Sequence, residues 1–221
     1  MAGSSTYRRT PVDGETGPAE IIEEIAELTR RLLQPERFDP HRKQLIDYEQ
    51  EVQQAMARAG DLITAYSIQQ AHHDKSVLRP ALHAAHAKAD NRGWRLRSKG
   101  RPPVNIKLLG GTSFSIKTPY LCRDLRGRRG RRRGVGKRRK KGSGIYPVLK
   151  SLGIEDRCTP ATRSEIALHT VLCGSYEEAQ QQLARRGLKL DIETIRTLAV
   201  SVGRQAMDLR DGALETARQI P

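Results

Sequence analysis

The chain has 221 residues, enough for one ordinary domain or two small ones, and its apolar fraction of 37% with 4% aromatics is low for a globular protein, so extended or disordered parts are expected. Its formal net charge of +15 fits a polyanionic partner, no apolar run reaches the roughly 18 residues that span a bilayer, and the N-terminus lacks the apolar stretch of a signal peptide. The three cysteines, Cys122, Cys158 and Cys173, form no C-x-x-C pair, which argues against a zinc ribbon and a disulfide framework and for a reducing cytoplasm.

Residues 1–17 are rich in Gly, Ser, Thr and Pro and read as a disordered tail. Pro18 opens a helix with Ile21, Ile22, Ile25, Leu28, Leu32 and Leu33 at helical spacing, and Pro35 is expected to end it. Asp39-Pro40 caps a longer helix, whose expected apolar stripe runs through Leu45, Tyr48, Val52, Met56, Ala59, Ile63 and Tyr66 to about Ile68. Two such amphipathic helices must cover their stripes, either with each other or with a second copy of the chain, so a homodimer is one expectation. A third helix, from about Val77 to Ala89, carries Pro80 in its first turn.

The period then changes from helical to alternating. Val104, Ile106 and Leu108, then Gly110-Gly111, then Phe114, Ile116 and Thr118 predict a β-hairpin over about 104–118, with Trp94 to Arg97 as a candidate preceding strand. Pro119 is expected to close the second strand.

Residues 123–141 hold twelve Lys/Arg against the single acid Asp124, a net charge of +11. A run of like charges this dense repels itself, buries nothing and is expected to be disordered when free. Closely spaced phosphates suit it best, because each one neutralised releases a counterion. Arg126, Arg128, Arg129, Arg131, Arg132, Arg133, Lys137, Arg138, Arg139, Lys140 and Lys141 are therefore candidate DNA-binding residues. The glycines among them have no strand–helix context and do not form a nucleotide loop. Residues 91–122 add seven basic groups and no acid, whereas 1–90 are net −3 and 142–221 are balanced. The basic middle reads as the binding part.

Beyond it, Tyr146–Leu152 reads as a short helix stopped by Gly153, and Thr159-Pro160 starts another that reaches about Cys173. Ser175 and Glu178 form a capping box for a helix ending at Gly187, and Asp191 caps the helix that begins at Ile192. Ala179 and Leu183, the Gly187 turn, and Ile192, Ile195, Leu198 and Val202 match what a helix-turn-helix needs. On the outer face of its second helix, Thr194, Arg196, Thr197, Ser201 and Arg204 are candidate DNA contacts.

The expectation is thus a mainly α protein. Residues 18–122 form N-terminal amphipathic helices with a small β-hairpin, 123–143 a basic disordered linker, and 144–221 a helix-turn-helix-like helical bundle. No metal or cofactor site is expected. His83 and His86 share a helical face but lack further ligands, and Asp191, Asp208 and Asp211 have no strand partner for a two-metal site. No nucleophile dyad supports a stand-alone hydrolase. Duplex DNA is favoured over RNA as partner, since aromatics near the basic run are limited to Tyr120 and Tyr146; an RNA-binding or ribosome-associated protein is the alternative.

An ordered set of segments carries a resemblance. VNIKLLGGTSFSIKTPYL, the Arg/Gly-rich run, GSGIYPVLKSLGI, TPATRSEIALHTVL and SYEEAQQQLARRGLKLDIETIRTLAVSVGRQA together resemble the N-terminal half of ISKra-type insertion-sequence transposases. In those proteins a β-hairpin leads to a helical region with a helix-turn-helix, and a DDE catalytic domain follows. The resemblance implies DNA binding, a bacterial cytoplasmic, nucleoid-associated setting, and a truncated copy or separate DNA-binding half. No catalytic residue is carried over, because the chain stops at Pro221, ahead of the strand that would bear the first catalytic Asp. Many relatives carry a cysteine pair after the hairpin, where Cys122 stands alone here.

Overall fold

The computed structural model describes residues 12–13, 17–34, 45–124 and 144–218. Among these the protein is mainly helical, with seven helices and two small three-stranded sheets. No helix among the described residues is long and apolar enough to cross a membrane.

Helix α1 (Pro18–Leu32) begins at the expected proline, and Glu20 reaches back to accept the Gly17 amide at 3.3 Å. Helix α2 (Leu45–His73) runs beyond Ile68 to His73. Asp74 then caps α3 (Lys75–Asp90) by accepting the Ser76 amide at 2.7 Å, and its hydrogen bonding to Ser76 holds the carboxyl below the usual range. Helices α1 and α2 pack on each other. The Tyr48 hydroxyl donates to the Leu32 carbonyl at 3.2 Å, and Arg58 pairs with Glu24 at 2.8 Å. The inward face of α2 differs from the expected stripe. Asp61, Leu62 and Ala65 are buried, whereas Leu45, Met56 and Ile63 are exposed. Arg58, Asp61, Leu62 and Ala65 stand at i, i+3, i+4 and i+7, one helical face, and the contacts they make with α1 and the hairpin turn select it.

The hairpin is where the alternation placed it. Strands β3 (Pro103–Lys107) and β4 (Ser113–Lys117) pair antiparallel with Val104 opposite Ile116 and Ile106 opposite Phe114, and all four are buried. Strand β1 (Val12–Asp13) adds to β4 in parallel. A second sheet has the order β2 (Leu96–Ser98), β5 (Leu121–Arg123), β6 (Gly144–Ile145). The chain therefore re-forms a strand after Pro119.

Two apolar cores result. The first joins Ile21, Leu62, Ala65 and the hairpin residues to Leu149 and Ile154. Those last two come from α4 (Pro147–Ser151) and its exit, so residues 144–154 pack with the N-terminal elements. The second core, Cys158, Ile166, Leu183, Leu188, Leu190, Ile195 and Leu198, is built by α5 (Pro160–Leu172), α6 (Tyr176–Arg185) and α7 (Ile192–Arg218). The seam between the cores lies between Ile154 and Cys158. There Lys107 at the end of β3 donates its amide to the Arg157 carbonyl at 2.8 Å and accepts the Thr159 amide at 3.2 Å, tying the two bodies by backbone.

His72, near the end of α2, is buried with neither ring nitrogen hydrogen-bonded. Burial, with smaller contributions from His73 and Arg101, lowers its pKa from 6.5 to about 4. The folded state thus holds the neutral ring, while the unfolded chain takes up a proton below pH 6.5. Stability is expected to fall as pH drops from 6.5 towards 4, by up to about 3 kcal/mol. Urea unfolding at pH 7.5 and pH 4.5 measures this, and His72→Leu should flatten that part of the profile.

Candidate nucleic-acid interface

Local capping sets the geometry of α5 to α7. Thr159 caps α5, and its hydroxyl accepts the Thr162 amide at 3.4 Å. The Ser175 hydroxyl accepts the Glu178 amide at 3.1 Å, while Glu178 reaches back to the Gly174 amide at 2.9 Å. Asp191 accepts both the amide and the hydroxyl of Thr194, at 2.8 and 2.7 Å, and these bonds lower its pKa. Residues 186–191 connect α6 to α7, and Gln180 on α6 grips this connection by donating to the Leu190 carbonyl at 2.7 Å. Ala179 and Leu183 of α6 are fully buried with Ile195 and Leu198 of α7.

Helix α7 is joined to α5 by a polar cluster built around the buried Arg163. The Arg163 guanidinium donates to Glu155 at 3.1 Å, to Ser201 at 3.2 Å and to Gln205 at 3.1 Å. Gln205 also donates to Glu155, and Ser201 to Asp156 at 3.4 Å. Arg163 pairs with Glu155 through its terminal nitrogen while its buried Nε has no partner, and Asp156 stands at the edge, so the cluster ties α7 to α5. Asp156 and Arg157 adopt the left-handed region, with φ of 51° and 60°. Two successive non-glycine residues there cost roughly 1–2 kcal/mol each, held by the Lys107 bonds at the seam.

An open groove of about 620 Å³ runs along the first half of α7, lined by Asp156, Glu193, Arg196, Thr197, Val200, Ser201, Arg204 and Gln205. Four of the five expected α7 contacts thus lie together. Arg196, Thr197 and Arg204 are exposed, and Ser201 is tied to the Arg163 cluster. Thr194 stands apart, its amide and hydroxyl bound by the Asp191 cap. Among the lining residues, Asp156, in a loop after α4, and Val200 and Gln205, on α7 itself, were not among the contacts expected from spacing. The groove is mixed in charge, with Arg196 and Arg204 sharing its lining with Glu193 and Asp156.

The expected contacts from Arg126 to Lys141 lie outside the described residues. Their two ends are described. Strand β5 pairs antiparallel with β6, with Leu121 opposite Ile145 and Cys122 opposite Gly144. The basic segment thus leaves one strand and returns in its neighbour, so 125–143 connects two strands of a single sheet. A Cβ at Gly144 would run into the far end of the Tyr120 ring, which would have to shift. Tyr120 in turn lies 4.8 Å from the Tyr146 ring. Burial raises the Cys158 thiol, which suits a core residue and not a nucleophile. No group of three or more His, Cys, Asp or Glu among the described residues could hold a metal ion.

Protein-family models, curated proteins and solved structures were compared with this chain, and none matches it.

Proposed function

We propose that the protein binds duplex DNA through two elements, the basic segment 125–143 and the outer face of α7. The observation that carries this reading is a charge of +11 over residues 125–143, whose ends β5 and β6 hold side by side. The two ends of that charge are anchored on one sheet, and cations at this density along the sequence suit closely spaced phosphates. Helices α6 and α7 act as a helix-turn-helix-like pair. The Ala179, Leu183, Ile195 and Leu198 packing supports this, although the six-residue connection (186–191) is longer than the usual turn of about 3–4 residues. On the exposed face, Arg196, Val200 and Arg204 repeat every four residues, with Thr197 beside them. That row offers cations to phosphates and a branched apolar group to a thymine methyl. The resemblance to the DNA-binding half of ISKra-type transposases supports the same reading, with no catalytic residue assigned to this chain.

The test is fluorescence-anisotropy binding of the full chain to random duplex DNA and to structured RNA across a salt series. DNA binding that weakens steeply with salt is the expected result. Tighter binding to the RNA at matched salt would favour an RNA-binding protein, and no binding to either at low salt would overturn the reading.

A further inference from the structure

The second sheet carries charge of its own. Strand β2 and its flanks present Arg95, Arg97 and Lys99 at alternate positions, all exposed. In an extended strand such residues share a face about 6.6–6.8 Å apart. Arg97 lies opposite Cys122 of β5, which lies opposite Gly144 of β6. The row therefore runs beside the two roots of the basic segment. It stops at a bulge, where Lys99 donates its amide to the Tyr120 carbonyl at 2.9 Å, Tyr120 donates to Gly100 at 3.0 Å, and Gly100 takes φ of 87°.

Many arginines elsewhere in the protein are neutralised. Arg30, Arg31, Arg58, Arg163, Arg186 and Arg210 each hold a carboxylate. Residues 91–122 contain no acid, and the acid that stands beside the row is Asp124, whose amide donates to the Arg95 carbonyl at 2.7 Å. On the other side of the sheet, Arg123 stacks on Trp94 at 4.5 Å, with Arg92 at 5.4 Å, so the last cation before the basic segment is held by an aromatic face and not by an acid.

We infer that the β2 row, Arg95, Arg97 and Lys99, is a folded phosphate-binding platform that seats the backbone of duplex DNA beside the roots of the 125–143 segment. This rests on the DNA-binding reading and locates it. The platform is rigid and extended, so its three cations contact the backbone without the ordering cost that a free segment meets, and they read no bases.

The test compares two full-length triple variants by anisotropy on random duplex DNA. One is Arg95→Gln/Arg97→Gln/Lys99→Gln, and the other is Arg30→Gln/Arg31→Gln/Arg210→Gln, which removes the same charge from ion-paired sites. Circular dichroism checks that both keep the fold. The platform variant is expected to bind roughly tenfold or more weaker near 0.1 M salt, with a log–log salt slope shallower by about 3, while the control stays close to the parent. Equal losses in both variants mean that net charge alone matters and overturn the platform. So does an unchanged slope in the first variant, and either outcome leaves the DNA-binding reading standing if the parent binds. A parent that binds no DNA overturns both.

Discussion

Replacing residues 125–141 with a short Asn-Gly turn is expected to weaken duplex DNA binding by about a thousandfold or more at moderate salt while leaving the thermal midpoint within a few degrees of the parent. The weaker binding follows from the removal of eleven cations and no acid. Each phosphate that is no longer neutralised takes about 0.9 from the salt slope, so most of the slope should go as well. The retained fold follows from the antiparallel pairing of β5 and β6, which places Cys122 opposite Gly144. A tight turn between such strands is a common hairpin connection, and the apolar side chains that build the two cores lie outside the excised stretch. Anisotropy across a salt series together with a thermal melt reads both halves. A variant that melts far lower would show that the segment contributes to the fold, and one that binds as the parent would remove it from the interface.

Asp61→Ala is expected to destabilise the protein by about 4 kcal/mol. The Asp61 carboxylate is 3% exposed and accepts the amides of Gly110 at 2.8 Å and Thr112 at 2.9 Å. Each charge-assisted bond contributes about 1.5–3 kcal/mol, and truncation leaves two N–H groups without a partner where α2 covers the hairpin turn. Asn at this position keeps one acceptor but turns an amide donor towards the second N–H, so Asp61→Asn should recover only part of the stability. Gly110→Ala attacks the same junction from the other side. Its Cβ would stand 2.6 Å from the Ala57 carbonyl oxygen, a backbone atom that cannot step aside. Urea unfolding measures all three variants. A midpoint shift for Asp61→Ala of about half a molar or less, equivalent to under about 1 kcal/mol, would contradict the proposed role of the junction.

Local signals carried much of this architecture. The caps at Thr159, Ser175 and Asp191 and the hairpin at 104–118 were legible because each depends on residues within a few positions of one another. The inward face of α2 was not, since Leu62 and Ala65 are chosen by partners in α1 and the hairpin, far along the chain. The division of the chain was hidden for a similar reason. Composition marks the basic run as a break, yet Leu149 and Ile154 beyond it fill the first core. A fragment beginning at residue 144 would carry those side chains away from the partners that bury them, so dissection belongs at the seam near residue 156. The α7 row was legible from helical period, but the roles of Thr194 and Ser201 depend on neighbours that the period does not show. Arg163, which holds Ser201, lies 38 positions away. The β2 row was visible as an acid-free stretch, and only the pairing of β2 with β5 places it beside the basic segment.

If nucleic acid binds as proposed, the β5–β6 pairing would also make it a ligand of the folding reaction. Bringing Cys122 and Gly144 into register forces a self-repelling segment of +11 charge to begin and end at one place, which opposes closure of the sheet. A bound polyanion removes that repulsion, so the closed sheet and the bound state favour each other by the same free energy. Strand β6 leads into α4, whose Leu149 is buried in the core built with the N-terminal elements. On the proposed reading, a polyanion bound to the basic segment would therefore tighten the first core from its edge.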